Sequence, residues 1–513
     1  MTQSVVIVGG GAAGWLTAGI LATKLAPSSD SGSGVNILLL ESPDVANLGV
    51  GEGTWPTMRD TLRKIGISEV EFLKCCDASF KQASQFIGWQ RGENESYYHP
   101  FSPPAAYANI NLAAHWQSSP QELSFTDTVC AQGRVCELGL APKLPQTPEY
   151  AFSLNYGYHL NAGKFVQLLQ RHCVEKLGVE YKQGHVQEVV SADNGDIAEL
   201  SLVSGEKVAG ELFVDCTGFS ALLIGKHYGI PFVSQRDCLF NDTALALQAE
   251  YAEEDSPIAS CTKATAQSSG WVWDIALPSR RGIGHVYSSQ HTSAEKAEAD
   301  LERYLASDPD LAKSQPSPRK IQFKPGYRQS FWHKNCVAIG VSAGFVEPLE
   351  ATALVLIEKS AEWLSQQFPQ DRASMTVLAK RFNALTLERW GTIIDFLKLH
   401  YVLTERTDSD YWRDHCRSET IPESLQESLT LWKTQVPWLY ESNSKVELFS
   451  AASIQYVLCG MGFKSSVDPK VYRGWIKDAE IASRLMRDNQ NLSEKLMVSL
   501  PKNRALLDRV RSK

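Results

Sequence analysis

The chain has 513 residues, of which 43% are hydrophobic and 21% charged, and its net charge is −8 at neutral pH. That length exceeds one ordinary hydrophobic core and predicts one large interrupted domain with a smaller one. The negative balance argues against nucleic acid and anionic membrane as partners. Eleven scattered cysteines, with no C-x-x-C or H-E-x-x-H, predict reduced thiols in a cytoplasmic protein and no metal site.

The first element, "SVVIVGGGAAGWLTAGILATKL", reads as strand, glycine turn and helix. Val5 to Ala22 is a run of eighteen uncharged residues, long enough to resemble a leader or a membrane helix. It has no basic flank, and Gly9-Gly10-Gly11 and Gly14 interrupt it, so no targeting segment is expected. The polar insert "PSSDSGSG" precedes an apolar strand, "VNILLLES", that runs through Glu41. Gly9, Gly11 and Gly14 stand in G-x-G-x-x-G register, with Ala12 and Ala13 between the last two. Such glycines allow a sharp turn and let backbone N–H groups approach a pyrophosphate at the helix N-terminus. Glu41 is placed to bind a ribose hydroxyl. It lies 41 − 14 = 27 residues past Gly14, against the usual spacing of about twenty, and the insert accounts for the excess.

Further along, "FVDCTGFSALLIG" puts Asp215-Cys216-Thr217-Gly218 at the end of an apolar strand. In the alternating strands and turns of the middle, "GWVWDIALP" and "GHVYSS" flank Ser279-Arg280-Arg281-Gly282 as a hairpin would. Strand periodicity sets Trp271, Trp273, Ile275 and Leu277 on one face and Asp274 on the other. By itself that is the pattern of a core strand. "CVAIGVSAGFVEPLEATALVLIEKSAEWL" then reads as a strand, a turn at Gly340, and Glu347 to Thr352 opening a helix. The N-terminus of that helix suits an anion or the ring edge of a reduced flavin. Beyond Leu356 the spacing of Leu387, Trp390, Ile394, Leu397 and Tyr401 is that of a helix stripe, and the last third reads as mostly helical. One dinucleotide unit plus two more glycine-rich strand ends fits FAD better than NAD.

At this point the chain resembles the flavin-dependent halogenases related to tryptophan halogenase, over nearly its whole length. The most specific element is Trp271-Val272-Trp273-Asp274-Ile275-Ala276 against the family's W-x-W-x-I-P, with Ala276 in place of the proline. Gly49-Val50-Gly51-Glu52 with Pro56, "FKQASQFIGW", "YYHPF", "HLNAGKF", "DCTGF", "FNDTALA", "AGFVEPLEAT" and "IDFLKLHYVLTER" add to it.

The resemblance implies an α/β fold: a Rossmann-like FAD domain of flavin-monooxygenase type with an inserted β-rich substrate region (1–360), and a mainly helical C-terminal subdomain (361–513). It implies that reduced FAD, oxygen and chloride or bromide give hypohalous acid, and that Lys81 receives this oxidant. Glu350 matches the catalytic glutamate that takes the ring proton. Gly51, Glu52, Gly340, Pro348 and Leu349 join the glycine loop and Glu41 as cofactor residues. Thr352 and Ala353 match the halide corner, although the usual E-S-T-G reads Glu350-Ala351-Thr352-Ala353 here. Gly→Ala at the last position is compatible with backbone halide binding only if no positive φ is needed there. His99 and Phe101 match aromatic-stacking positions, and Trp271, Trp273 and Ile275 line the channel. The free-tryptophan members clamp the amino acid with C-terminal residues. Tyr440 and Glu441 are present here without a matching Phe-Trp pair, so the expected substrate is an indole or a phenol rather than free tryptophan. Electrons would come from a separate NAD(P)H:flavin reductase. Two alternatives stay open: a flavin hydroxylase of the same fold, and a flavin-binding protein without catalysis.

Overall fold

The computed structural model describes residues 3–27, 34–44, 51–92, 95–120, 122–311, 317–441, 448–471 and 474–512. Gly49, Val50, most of the insert after Pro27 and residues 442–447 of the expected clamp region lie outside the described residues. The chain sorts by contact into two units, each assembled from three segments. The first is Met1–Ala78, Leu160–Gln235 and Phe323–Trp390; the second is Ser79–His159, Arg236–Gln322 and Gly391–Lys513. Residues distant in sequence thus share a unit, and the helices after Gly391 are counted with the β-rich middle rather than alone.

The first unit holds a six-stranded sheet in the order Trp332–His333, Cys336–Ala338, Leu212–Asp215, Ser4–Val8, Asn36–Glu41 and Glu180–Gln183. All pairs are parallel except the edge pair Trp332–His333 with Cys336–Ala338. A strand buried on both faces carries a continuous apolar run, and Val5, Val6, Ile7 and Val8 are all buried. The helix Ala12–Leu25 follows at once and is buried from Gly14 to Gly19 and at Leu21 and Ala22. The run that mimics a membrane segment is therefore a core strand and a core helix. Among the described residues no helix is long and apolar enough to cross a membrane.

The second unit is built on a seven-stranded sheet, ordered Arg319–Gln322, Thr243–Glu250, Arg280–Tyr287, Gly270–Ala276, Cys261–Gln267, Ala83–Ile87 and Ser96–Pro100. One face packs on the helix Ala294–Ser307 through Leu245, Val272, Ile283, Leu301 and Leu305. The expected hairpin is present with Trp273 opposite Gly284, but its turn falls earlier than the flanking motifs imply. Leu277 N–H bonds Arg280 C=O at 2.9 Å, and Arg280, Arg281 and Gly282 are strand residues. The reason is a buried charge pair: Arg281 Nε donates to Asp274 Oδ1 at 2.9 Å and its Nη1 to Asp308 at 2.7 Å. Burying those charges is tolerable only when they are paired, which fixes the register.

The stripe Leu387–Tyr401 lies on one helix, Arg372–Val402. Trp390, Ile394, Leu397 and Tyr401 are buried, whereas Leu387 is 47% exposed. The apolar periodicity runs one turn further than the surface that covers it.

Candidate active site

In the first unit, a glycine loop joins the strand Ser4–Val8 to the helix Ala12–Leu25, and three glycines have separate tasks. Gly9 has φ +120°, and a Cβ there would lie 2.3 Å from the carbonyl oxygen of Cys216, just past the end of the neighbouring strand. A Cβ on Gly14 would lie 1.9 Å from Gly9 O, so helix and loop can close only without it. Gly11 differs: a Cβ there would meet nothing within 4 Å. Gly11 is also the N-cap of the helix and supplies no side-chain cap. An open cradle beneath uncapped N–H groups is what a pyrophosphate needs.

Glu41 reaches the same loop. Its carboxyl carbon occupies the space within 2.1 Å of a Cβ on Gly10, and it accepts a hydrogen bond from Tyr181 Oη at 2.8 Å. Gly340, at φ +80°, backs onto the start of the helix, where an added Cβ would come 2.7 Å from Ala13 Cβ. Gly9, Gly11, Ala12, Ala13, Gly14, Glu41 and Gly340 are thus brought to one place, and they fit a dinucleotide cofactor. Glu52, in the short strand Gly51–Gly53, is partly buried, and burial raises its carboxyl to about 7.

The helix expected to open within Glu347–Thr352 begins at Thr352 and runs to Gln366. A single tight turn, Leu349–Ala351, precedes it, after Pro348. Glu350 and Ala351 both sit in left-handed backbone, at φ +64° and +54°. Two consecutive non-glycine residues there are costly. Trp55 Nε1 donates to Glu350 O at 2.8 Å and helps hold the turn. Ala353 is in the first turn of the helix with no positive φ, so the alanine at that position carries no backbone penalty. The N-cap Ala351 has no side-chain acceptor, which leaves the first N–H groups, including those around Thr352 and Ala353, available to an anion.

Further along the same helix, Glu358 accepts from Thr57 Oγ1 at 3.0 Å and from Thr61 Oγ1, and burial holds its carboxyl at about 7. This acid was not singled out from sequence; only its helical position invites notice.

In the second unit, Lys81 ends the strand Ser79–Lys81, opposite Gly157, and is 1% exposed. Its Nζ lies 5.3 Å from the centroid of Phe101, within range of a cation–π contact. The Phe101 backbone is held from both sides, its N–H by Gln82 O at 3.0 Å and its C=O by Asn155 Nδ2 at 3.0 Å. His159 follows two residues after Gly157 on the partner strand and bonds Thr262 Oγ1 at 2.7 Å. Burial, and then the Lys81 charge, keep its imidazole well below the ordinary range and therefore neutral. Sequence reading did not assign His159 a role, although it opens the motif "HLNAGKF".

His99 lies on the strand Ser96–Pro100 opposite Ser84, with its ring 5.8 Å from Phe396 and 6.1 Å from Tyr456. Trp271 and Trp273 share a face, edge to face at 6.4 Å, and both are buried, as is Ile275. Trp89 continues the aromatic row 6.2 Å from Trp271. The Trp273 indole needs Gly284 opposite it, because a Cβ there would fall 2.1 Å from Trp273 Cζ2. Phe396, Tyr456 and Gly284 were missed from sequence, since only strand pairing and helix packing bring them in. Of the two residues left for an amino-acid clamp, Tyr440 is 95% exposed, and Glu441 accepts from Trp432 Nε1 at 2.6 Å.

Comparison with known proteins places this geometry in a family. The family model for tryptophan halogenase matches residues 4–473. A tryptophan 6-halogenase of Streptomyces toxytricini is 32% identical over 456 residues, 85% of this chain and 84% of its own. A tryptophan halogenase from Shewanella frigidimarina of known crystal structure is 47% identical, with a TM-score of 0.95 over 100% of this chain and 98% of its own. A flavin-dependent tryptophan C-6 halogenase from taromycin biosynthesis superposes with a TM-score of 0.91 at 30% identity, covering 99% of this chain and 100% of its own. Family membership implies an oxidoreductase that uses flavin and halide on an aromatic substrate. The chain belongs to the tryptophan halogenase family of flavin-dependent halogenases.

Proposed function

We propose that this protein halogenates an electron-rich arene of the indole or phenol class, using chloride or bromide, and that Lys81 delivers the electrophilic halogen. The observation that carries the reading is Lys81 itself, an amine buried beside Phe101. Burying an ammonium is costly, so its retention in an aromatic setting speaks for chemistry. Bound reduced FAD with oxygen and halide supplies hypohalous acid. Gly9, Gly11, Gly14 and the N-terminus of Ala12–Leu25 would bind the pyrophosphate, Glu41 the ribose, and Ala12, Ala13, Gly51, Glu52, Gly340, Pro348 and Leu349 the rest of the cofactor. Thr352 and the Ala353 amide would hold the halide at the start of the helix Thr352–Gln366.

Lys81 Nζ would hydrogen-bond the oxidant or take up its halogen as a haloamine. Glu350 would stabilise the cationic ring intermediate and remove its proton through the carboxylate. His99 and Phe101 would stack on the arene, and Trp271, Trp273 and Ile275 would pass a small oxidant while excluding an aromatic ring. Reduced flavin would come from a separate NAD(P)H:flavin reductase in the cytoplasm.

Free tryptophan is the second reading, favoured by the names of the relatives. Against it stand the exposure of Tyr440 and the engagement of Glu441 by Trp432, the two residues left for an amino-acid clamp. The test is product mass after turnover with bromide, FAD, a flavin reductase and NADH, across indole, substituted indoles, phenols and free tryptophan. A mass gain of one bromine on indole or phenol, and little on tryptophan, is the expected result. Hydroxylated product would make the protein a monooxygenase, and unchanged arene throughout would leave it a flavin binder.

A further inference from the structure

Two thiols near Lys81 take no part in the reaction just described. Cys261 opens the strand Cys261–Gln267 and lies opposite Ala83, two residues beyond Lys81. The preceding residues are tied together as well, Gln82 N–H to Ser260 O at 2.7 Å. Cys136, on the helix Gln132–Glu137, sends its thiol toward the same Ser260 carbonyl at 3.8 Å. Cys136, Cys261 and Ala83 form one buried cluster, with Tyr98 packed against it. Both cysteines are free, and their side chains hydrogen-bond each other.

The pair is chemically unequal. The hydrogen bond from Cys136 lowers the Cys261 thiol below its ordinary value, helped by the positive charges of Lys263 and Lys81. Burial pushes the Cys136 thiol up. Cys261 is accordingly the better nucleophile, and Cys136 the thiol placed to resolve whatever forms on it.

We propose that the Cys136–Cys261 pair is a discharge site for electrophilic halogen, oxidised to a disulfide when no arene is present to accept it. The proposal rests on the reading that the protein makes hypohalous acid and delivers it to Lys81. In the first step the Cys261 sulfur takes the halogen from hypohalous acid, forming an S–X bond, and the thiol proton leaves with hydroxide as water. In the second step the Cys136 sulfur displaces halide from that bond and loses its proton, giving the S–S bond and hydrogen halide. The halogen is reduced from +1 to −1, and two thiols are oxidised by two electrons in total. Discharge from a Lys81 haloamine balances in the same way, with the free amine regenerated in place of water. Oxidant stranded beside Lys81 is thereby spent on a reversible bond instead of on irreversible oxidation.

The test uses the full chain with FAD, a flavin reductase, NADH, oxygen and bromide, with and without an arene that the protein brominates. The reaction is quenched in acid and alkylated while denatured, and its unreduced digest is mapped by mass spectrometry. The expected result is a linked Cys136–Cys261 peptide, lighter by two hydrogens than its parts. It should accumulate with bromide, be absent without bromide, and fall severalfold when the arene is added. In Cys136→Ser the link cannot form, and Cys261 should instead carry added oxygen as sulfinic or sulfonic acid. Both thiols alkylated after bromide turnover, or the same link without bromide, would overturn the proposal. Arene bromination in the reaction with arene, alongside free thiols in the bromide reaction without it, overturns the discharge site alone. Loss of both bromination and the link overturns the parent reading too.

Discussion

The candidate residues of the two units are built from different materials. In the first, the proposed cofactor cradle is largely backbone: glycines that permit contact with Cys216 O or Gly9 O, uncapped N–H groups, and a left-handed turn at Glu350 and Ala351. In the second, the site is made of side chains drawn from several strands and helices, Lys81 against Phe101 and Trp271 between Trp89 and Trp273. The difference teaches where substitution should act. Changes in a backbone cradle alter binding or folding according to whether the added atom meets open space or main chain. Changes among the side chains alter the reaction while the scaffold remains.

The largest effect expected is at Lys81. Lys81→Ala should bring halogenated product below detection, while FAD titration gives an unchanged affinity; product at near-normal yield would remove the lysine from the reaction. Glu350→Gln comes next, with turnover lowered about a hundredfold, measured as product per minute at saturating reduced FAD. Because Glu350 holds its turn through its backbone carbonyl, the variant should melt like the parent, and a collapsed melting curve would reassign it to scaffolding.

A pair of glycine variants probes the cradle directly. Gly11→Val adds atoms into open space and should leave the melting temperature unchanged while weakening FAD by about tenfold, or about 1.4 kcal/mol. Gly14→Ala puts its Cβ against Gly9 O and should instead yield poorly folded protein. If both variants behave alike, the distinction between open and packed glycines is wrong.

Trp→Phe at 271 or 273 should be milder, since most apolar area is kept; the alanine change at a buried tryptophan costs about 3–5 kcal/mol and would confuse folding with function. The measurement is product per reduced flavin consumed, expected to fall severalfold as peroxide release rises. A lower melting temperature with unchanged coupling would return the pair to a core strand.

The smallest effect concerns Glu358, which faces Thr57, Thr61, Lys359 and Glu362 and is held at about 7 by burial. The folded chain keeps a proton there that the unfolded chain releases at its ordinary value of 4.5. The stability this group contributes is complete below that value and is lost as pH rises toward 7. Wild type should therefore lose about 2 °C more in melting temperature between pH 5 and pH 8 than Glu358→Gln does. Parallel curves would show that the carboxyl stays ionised.

The sequence by itself determined the β-α-β entry, because glycine spacing, an apolar strand and an acid at the next strand's end are local properties of a chain that turns beneath a cofactor. It also determined the strand that carries Trp271 and Trp273, through period-two alternation, and a helix over Leu387 to Tyr401, through its apolar stripe. Tertiary structure alone decided where those elements stop and what faces them. The hairpin turn moved because Arg281 had to pair with Asp274, and Leu387 is exposed because no surface covers that turn of the helix. The left-handed pair at Glu350 and Ala351 carries no glycine to announce it. His159 beside Lys81, Gly284 beneath Trp273, and Cys136 beside Cys261 are contacts between residues 78, 11 and 125 positions apart, and no local pattern records them. Periodicity reports which face of an element is apolar; only packing says which other element meets it, because that choice depends on chain closure over long loops.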